Sequence, residues 1–453
     1  MTAEHLARAL SASGLSAEAV AAHAARFERL LATLGREHSG GDEWDAWYVP
    51  GRIEVLGKHT DYGGGRSLIC AAERGFTVVA APRHDIRLSI TDIGRGVSLQ
   101  LDPTALRADV SWATYPLTVI RRVFHNFPEM TRGLDLVFES DLPSAAGMSS
   151  SSALMVAVLL ALARVNRLEE TIRWREQGLD ARENLAAYAA TIENGSTFRG
   201  LVGEAGVGTE GGSEDHTAIL CSRPGHLGQF SFVPTRHERY IPFPADVTFA
   251  IGVSGIAARK TGGARDDYNR ASRNAARVLE RWRERTGRSD NSLASAIQSS
   301  SDAPERLRSW LAGDDALLDR FEQFLEESTQ LVTAAGDQLA AGDFDGLGRT
   351  VDRSQRLAEE RLGNQVPETA TLARLARDNG ALAASAFGAG FGGSVWALVS
   401  SADAQVFLDR WQNAYRAAHA AAAPKARFFL TRPGPASVRL DVNANAADRP
   451  TGA

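Results

Sequence analysis

The chain has 453 residues, which is enough for two or three domains with substantial cores. Its composition, 44% hydrophobic and 23% charged, is typical of a globular protein. A net charge of −5 gives no electrostatic case for nucleic acid or an anionic membrane as a partner. The two cysteines, Cys70 and Cys221, exclude a disulfide scaffold and a structural zinc site and are expected in the core.

The first part of the chain predicts helices followed by strands. Leu and Ala recur at helical spacing over residues 2–36, with a turn at Gly14. Alternating apolar residues then predict strands, the first three in a small antiparallel sheet, at residues 76–82, 86–92, 97–101 and 134–138. Two helices are expected next, and Asn194-Gly195 would end the second of them.

The second part returns to strands and then becomes mostly helical. Strand patterns lie at residues 216–221, 229–233 and 247–253. A helical region covers roughly residues 265–347, and the last unit combines helices with strands near residues 384–387, 395–399 and 426–430. This mixture predicts an α+β fold rather than a regular βαβ repeat.

The same patterns suggest how the chain is divided and where it resides. We predict an N-terminal lobe at residues 1–230, a C-terminal lobe at residues 231–442 and a disordered tail at residues 443–453. The longest apolar stretch, near residues 154–163, is too short to span a bilayer, and the first residues do not resemble a signal peptide. We therefore expect a cytoplasmic protein without membrane or nucleic-acid partners.

A hydroxyl-rich loop at residues 142–154 is the most informative stretch, because it runs directly into a helix-prone segment. The start of such a helix gathers unpaired N–H groups and the positive end of the helix dipole, which suits a phosphate. The four consecutive serines Ser149–Ser152 could add hydrogen bonds or a Mg²⁺ ligand. An ordinary serine cap on a buried helix would produce the same composition.

Two further glycine-rich segments, at residues 50–65 and 386–398, favour the phosphate interpretation. Neither the Walker pattern nor the dinucleotide-binding fingerprint is present. Three such loops in this order resemble the superfamily of galactokinase, homoserine kinase, mevalonate kinase and phosphomevalonate kinase, the GHMP kinases. The first segment is most similar to the galactokinase signature.

The resemblance implies a two-lobed GHMP kinase fold, with a ribosomal-protein-like α/β lobe followed by a ferredoxin-like lobe. It also implies ATP and Mg²⁺ as cofactors and transfer of the γ-phosphoryl group to the anomeric hydroxyl of a hexose. The expected partners are the sugar and ATP, and the protein would be a monomer or a homodimer. A uronic-acid kinase, a heptose-phosphate kinase and a non-catalytic sugar sensor are the alternatives on the same scaffold.

Two residues carry the predicted chemistry. Arg52 matches the arginine of the galactokinase signature, and Asp215, in Gly212-Ser-Glu-Asp215, matches the catalytic aspartate. Asp215 could accept the proton of the sugar hydroxyl or only stabilise charge, while Arg52 would neutralise the transferring phosphoryl group. Glu214 is a rival for this role, although we expect it to be an acid that faces solvent.

The phosphate loop and the metal site are expected to share one segment. The resemblance assigns ATP binding to Pro143, Ala146, Gly147, Met148, Ser149, Ser150, Ser151 and Ser152. It assigns Mg²⁺ to Ser151, or nearly as well Ser150, together with Glu193.

By the same resemblance, the sugar is expected to contact residues of the first and third glycine-rich segments and two residues elsewhere, namely Lys58, His59, Asp61, Gly390, Gly212 and Tyr268. For His59 and Tyr268, ordinary packed side chains are equally good interpretations. Lys58 stands where galactokinases carry Glu, and Glu54 where they carry Asn. A lysine in the wall of the site would favour an acidic sugar, unless it pairs with Glu54 or another acid.

Two further departures concern the approach to Asp215. His216 stands where galactokinases usually carry Gln, and the segment between Glu193 and Asp215 is longer than usual. Its glycine-rich part, residues 197–210, is interpreted as an inserted loop beside the site, with the properties of a lid.

Overall fold

A computed structural model describes residues 3–37, 43–103, 111–258 and 263–440. In chain order, its strands are β1 (Asp45–Leu56), β2 (Arg66–Pro82), β3 (Leu88–Asp92), β4 (Val97–Leu101), β5 (Leu134–Ser140), β6 (His226–Ser231), β7 (Arg236–Pro242), β8 (Val247–Val253), β9 (Ala383–Phe387), β10 (Ser394–Ser400), β11 (Arg427–Thr431), β12 (Pro433–Gly434) and β13 (Val438–Leu440).

The helices, also in chain order, are α1 (Ala3–Ala12), α2 (Ala17–Glu37), α3 (Thr114–Asn126), α4 (Ser150–Val165), α5 (Ile172–Glu176), α6 (Arg182–Asn194), α7 (Glu214–Cys221), α8 (Gly263–Thr286), α9 (Leu293–Ile297), α10 (Ala303–Leu311), α11 (Asp315–Glu326), α12 (Val332–Ala341), α13 (Phe344–Leu357), α14 (Pro367–Asp378) and α15 (Ala404–Ala418). Turns of π-helix follow α11 and α13, at Glu327–Leu331 and Ala358–Leu362. No helix in the described ranges is long and apolar enough to cross a bilayer.

The larger sheet forms the first lobe. Its strand order is β13-β1-β2-β5-β3-β4, and the long strand β2 also pairs with β6 and β12. Helix α4 packs on β1 and β2, and it is buried on almost every side because nearly all its residues are apolar. Helices α1 and α2 cover other residues of the same strands through Leu10, Phe27 and Leu30.

The smaller sheet forms the second lobe and is antiparallel, with the order β11-β8-β10-β9. Helices α14 and α15 cover one face, where the buried Trp411 donates a hydrogen bond from Nε1 to the carbonyl of Leu372 at 3.0 Å. Phe249, Trp396 and Leu398 of β8 and β10 join the core of the first lobe. One continuous core therefore holds the two sheets together.

A late segment of the chain returns to the first lobe. Strand β12 pairs with β2 and strand β13 with β1, and Arg439 lies 3.3 Å from Asp45 at the start of β1. The connecting Ser437 donates its N–H to the carbonyl of Ile219 at 2.7 Å. The predicted division of the chain after residue 230 remains a prediction, while sheet membership places β7 and β13 with the first sheet.

The predicted α+β fold with two lobes is confirmed, and most predicted elements are present. Residues 216–221 are an exception, since they form most of helix α7 instead of a strand. The predicted small antiparallel sheet is also wrong in its pairing, because β5 lies between β2 and β3 and runs parallel to β3. Both cysteines are buried as expected, and the predicted disordered tail lies outside the described residues.

Candidate active site

A cavity lies where the two lobes meet, and its empty space, counted together with the solvent at its opening, is about 510 Å³. Among its lining residues, one arginine faces five acidic side chains, which are Glu54, Asp61, Glu193, Glu214 and Asp215. Four of the predicted sugar-binding residues, His59, Asp61, Gly212 and Tyr268, also line it, together with Gly388 and Ala389.

Arg52 is the buried centre of the cavity wall. It lies on β1, is 4% exposed, and donates from Nε and Nη2 to Oδ1 of Asp215 at 2.8 and 2.7 Å. Its Nη1 donates to the carbonyl of Gly147 at 2.7 Å. Burial alone would lower the pKa of Arg52, but the nearby carboxylates of Asp215, Glu54 and Glu214 raise it above its usual value.

Asp215 lies in the first turn of α7, and this helix explains why two neighbouring acids occupy different environments. The Asp215 side chain is partly exposed towards the cavity. Glu214 is only 5% exposed, and its Oε2 accepts a hydrogen bond from Ser67 at 2.6 Å. The prediction that Glu214 faces solvent is therefore wrong, and burial raises its pKa well above the usual value.

The hydroxyl-rich loop turns into α4 in the predicted way. Ser149 precedes the helix in the left-handed region, with φ of 60°, and provides no side-chain cap. The N–H groups of Ser150, Ser151 and Ser152 have no backbone acceptor in the described part of the chain. The Oγ of Ser149 is also buried without a hydrogen-bond partner there. The loop therefore offers several unused donors at the positive end of a helix dipole, which is an anion site.

The serine that reaches the predicted metal carboxylate is Ser152. Its Oγ donates to Oε2 of Glu193 at 2.8 Å and lies 3.4 Å from Oδ2 of Asp215. The assignment of Mg²⁺ to Ser151 and Glu193 stays a prediction. Neighbouring helix residues point about 100° apart, so consecutive serines reach different partners, and here Ser152 is the one that bonds to Glu193. Nε2 of His216 lies 3.4 Å from the same Glu193 oxygen.

The third glycine-rich segment packs against the backbone of the phosphate loop. A Cβ added to Gly388 would lie 2.8 Å from the carbonyl oxygen of Gly147, and one added to Gly147 would lie 3.1 Å from that of Phe387. Gly388 also has a positive φ of 84°, which a side chain would strain. Ser394 donates to the carbonyl of Ala146 at 2.6 Å. Glycine is thus required because two backbones touch at this position.

The sugar signature supplies polar side chains along one wall. Oδ2 of Asp61 accepts the N–H of Glu214 at 3.1 Å, and burial raises the pKa of Asp61. His59 bonds to the hydroxyl of Tyr62 and the carbonyl of Ala389 at 3.0 and 3.1 Å, and its ring lies 5.1 Å from that of Tyr268.

The two glycines predicted to bind the sugar differ in their position relative to the cavity. Gly212 lines the cavity, and a Cβ there would lie 2.5 Å from Oδ2 of Asp61. Gly390 does not line it, because it packs against Asn364, whose carbonyl would lie 2.3 Å from an added Cβ. The residues of this loop that face the cavity are Gly388 and Ala389. The assignment of Gly390 to the sugar stays a prediction.

Lys58 does not form a cationic wall. It is 1% exposed, does not line the cavity, and donates from Nζ to Oγ of Ser354 at 2.8 Å. Ser354 donates in turn to Oε1 of Glu327 at 2.9 Å, and the same oxygen accepts the N–H of Gly57. Of the two interpretations of Lys58, the structure supports the one in which the lysine is balanced by acids, since Ser354 links it to Glu327 and its charge also acts on Glu54.

The inserted loop between α6 and α7 is anchored at several points. Its residues Ser196 and Leu201 accept hydrogen bonds from the buried Arg122 at 2.8 and 3.2 Å. At its other end, Glu210 donates its N–H to Asn269 of α8 at 2.9 Å. In this conformation the loop is tied to α3 and α8, and nothing in these contacts supports the predicted lid.

Three family descriptions match the chain in the same order as the motifs. Residues 36–82 match the galactokinase galactose-binding signature, residues 114–201 the GHMP kinases N terminal domain, and residues 337–417 the GHMP kinases C terminal domain. Together they contain Arg52, the hydroxyl-rich loop, Glu193 and the third glycine-rich segment.

Similar whole proteins are also known. The chain is 27% identical to a galactokinase of Roseiflexus sp. over 87% of this chain and 93% of that protein. It is 28% identical to a galactokinase of Streptomyces coelicolor over 86% and 94% of the two chains. Its fold is similar to that of Lactococcus lactis galactokinase complexed with galactose, with a TM-score of 0.75, 22% identity and coverage of 91% and 99%. It is more distantly similar to L. major mevalonate kinase, with a TM-score of 0.53, 16% identity and coverage of 86% and 96%.

We predict that Lys58→Met destabilises the protein, because it leaves the buried Glu327 without its compensating charge. Breaking a buried ionic network typically costs about 3–5 kcal/mol of unfolding free energy. Urea unfolding followed by circular dichroism would measure the loss. Arg374→Met is the matched control, since Arg374 forms an exposed pair with Asp378 and its loss should cost less than about 0.5 kcal/mol. Equal stability of the two variants would contradict the burial argument.

Proposed function

We propose that this chain, a galactokinase-like member of the GHMP kinases, transfers the γ-phosphoryl group of ATP to the anomeric hydroxyl of a neutral hexose. It is an ATP-dependent phosphotransferase and a sugar kinase of galactokinase type. The match of residues 36–82 to the galactose-binding signature supports galactose as that hexose. The observation that carries the proposal is the pair formed by Arg52 and Asp215 between an acidic cavity and an anion-binding loop.

The charge of the cavity favours a neutral sugar. Five acidic side chains and one arginine line it, and Lys58 is not among them. Carboxyl oxygens accept hydrogen bonds, so they match the hydroxyl donors of a sugar. A carboxylate or phosphate on the sugar would meet like charges at close range. This argument, together with the galactokinase relatives, disfavours a uronic acid or a phosphosugar as the acceptor.

The donor phosphates fit the hydroxyl-rich loop next to the cavity. The unused N–H groups at the start of α4 would bind the phosphates, and Arg52 adds a full positive charge at the Gly147 carbonyl. Asp215 links the two regions, because Arg52 holds its Oδ1 while its side chain borders the cavity. The acceptor hydroxyl and the phosphates would therefore meet at these two residues, which argues against a purely sensory protein.

In the proposed reaction, the anomeric oxygen bonds to the γ-phosphorus as the bond to the β,γ-bridging oxygen breaks and ADP leaves. Asp215 accepts the hydroxyl proton, and Arg52 both orients Asp215 and stabilises negative charge on the transferring group. Since phosphoryl transfer needs little covalent help from protein, positioning by these residues supplies most of the rate.

The residues present fit Mg²⁺. Ser152, Glu193 and Asp215 bring oxygen atoms together, and Mg²⁺ prefers oxygen ligands from one or two carboxylates plus substrate phosphates. The described residues contain no cage of three or more acidic, histidine or cysteine side chains, so phosphates would complete the coordination. The ion would neutralise charge on the phosphates. We propose Ser152 and Glu193 as its ligands.

The cytoplasmic location and the monomeric or dimeric state remain predictions.

We predict that Asp215→Asn lowers kcat for galactose by about 10²–10⁴-fold, the usual contribution of a general base. ADP release with ATP and Mg²⁺ would measure this, with galactose, glucose, galacturonate and galactose 6-phosphate as acceptors. Wild-type turnover restricted to the acidic sugars would contradict the neutral-hexose proposal.

The neighbouring acid provides the matched control for this measurement. Glu214→Gln keeps the size of the side chain and an acceptor for Ser67, so kcat should fall less than about tenfold. A larger loss in Glu214→Gln than in Asp215→Asn would transfer the role of base to Glu214.

We also predict that Ser152→Ala raises the Mg²⁺ concentration needed for half-maximal activity by about tenfold or more, since groups that hold or orient metal ligands are worth about 10–100-fold. Ser151→Ala, one residue away on the same helix, should leave it nearly unchanged. Activity would be titrated with Mg²⁺ at a fixed ATP concentration, with melting curves to establish that both variants fold. The reverse order of the two effects would restore Ser151 as the ligand.

A further inference from the structure

Glu54 is a buried acid that the reaction described so far does not use. It lies two residues after Arg52 on β1, so both side chains point to the same face of the sheet. It is 3% exposed and lines the cavity. Its Oε2 accepts the N–H of Gly388 at 3.1 Å and lies 3.7 Å from Nη2 of Arg52.

The other carboxylate oxygen of Glu54 has no partner. Oε1 is fully buried, and none of the described residues donates a hydrogen bond to it. Leaving a buried acceptor unpaired is unfavourable, more so for a charged group, and each case in a native structure calls for a reason. Gly388 and Arg52 fix the orientation of the carboxylate through Oε2, so the unpaired oxygen is held in place rather than free to rotate.

Lys58 does not satisfy this oxygen. Its Nζ donates to Ser354, and the described residues show no ion pair between Lys58 and Glu54. Burial raises the pKa of Glu54, while the charges of Arg52 and Lys58 act in the opposite direction. Lys58 therefore acts on Glu54 through its field and leaves Oε1 without a donor. A molecule bound in the cavity, which Glu54 lines, is positioned to supply the missing donor.

We propose that Oε1 of Glu54 accepts a hydrogen bond from one hydroxyl of the bound sugar and that Glu54 thereby determines specificity. The proposal rests on the proposed sugar kinase function. It assigns the sugar a contact with the wall between β1 and Gly388, beside Arg52. A sugar that lacks the hydroxyl facing Glu54 would leave a buried carboxylate oxygen unpaired, and it would be rejected for that reason.

The substitution Glu54→Gln tests this contact with little change of shape. The amide oxygen of the new side chain can still accept the N–H of Gly388, which places its NH₂ group where Oε1 was. The acceptor offered to the sugar thus becomes a donor, while the contact with the third glycine-rich segment is preserved. Melting curves of the variant would establish that it folds.

The decisive measurement combines this variant with deoxy sugars. kcat/KM would be determined for galactose and its 2-, 3-, 4- and 6-deoxy analogues with wild type, Glu54→Gln and Asp61→Asn. In wild type, one deoxy analogue should lose about tenfold or more through a higher KM. In Glu54→Gln, the loss for that same analogue should shrink to less than about threefold, while the losses for the other analogues should not shrink. In Asp61→Asn, the loss for that analogue should remain as large as in wild type.

The possible failures are distinguishable. If Glu54→Gln lowers kcat/KM by one common factor for all sugars, or leaves it unchanged, the contact with a hydroxyl is refuted while the kinase function stands. If wild type phosphorylates none of the sugars, the proposed function itself is refuted.

Discussion

The structure of the site depends on one buried guanidinium. Arg52 donates to Asp215 of α7 and to Gly147 of the phosphate loop, and it lies close to Glu54 and Glu214. Several acids are buried around it, and their like charges can stay close only because the arginine lies among them. The raised pKa of Arg52 has the same origin. Removing the guanidinium would remove the hydrogen bonds that link the sugar signature to the phosphate loop and to Asp215.

A second constraint is the close approach of two loops from different lobes. Gly147 and Gly388 lie in backbone contact, so the conformation of the phosphate loop depends on the docking of the second lobe. The N–H of Gly388 also holds Glu54. The site is therefore assembled between the lobes, where a substrate can be enclosed from both sides. The buried network of Lys58, Ser354 and Glu327 joins the lobes just behind this region.

The sequence was sufficient to predict what is local. The hydroxyl-rich loop before α4, the glycine-rich segment before β10 and the end of α6 at Gly195 follow from residue types and spacing. What it could not predict depends on distant partners. Lys58 and Ser354 are 296 positions apart, and only the fold reveals that this lysine is turned away from the cavity. Glu214 and Asp215 differ because of their directions on α7, and the same is true of Ser151 and Ser152 on α4.

The return of β12 and β13 to the first sheet has a consequence for synthesis on the ribosome. These strands complete the pairing of β2 and β1, yet Pro433 at the start of β12 lies 191 positions after Pro242 at the end of β7. At about 5–20 residues per second, this interval lasts about 10–40 s. During that time the emerging lobe carries an open strand edge, the kind of surface that pairs with other chains. The pairing of the first sheet is therefore completed only after residues 433–440 emerge.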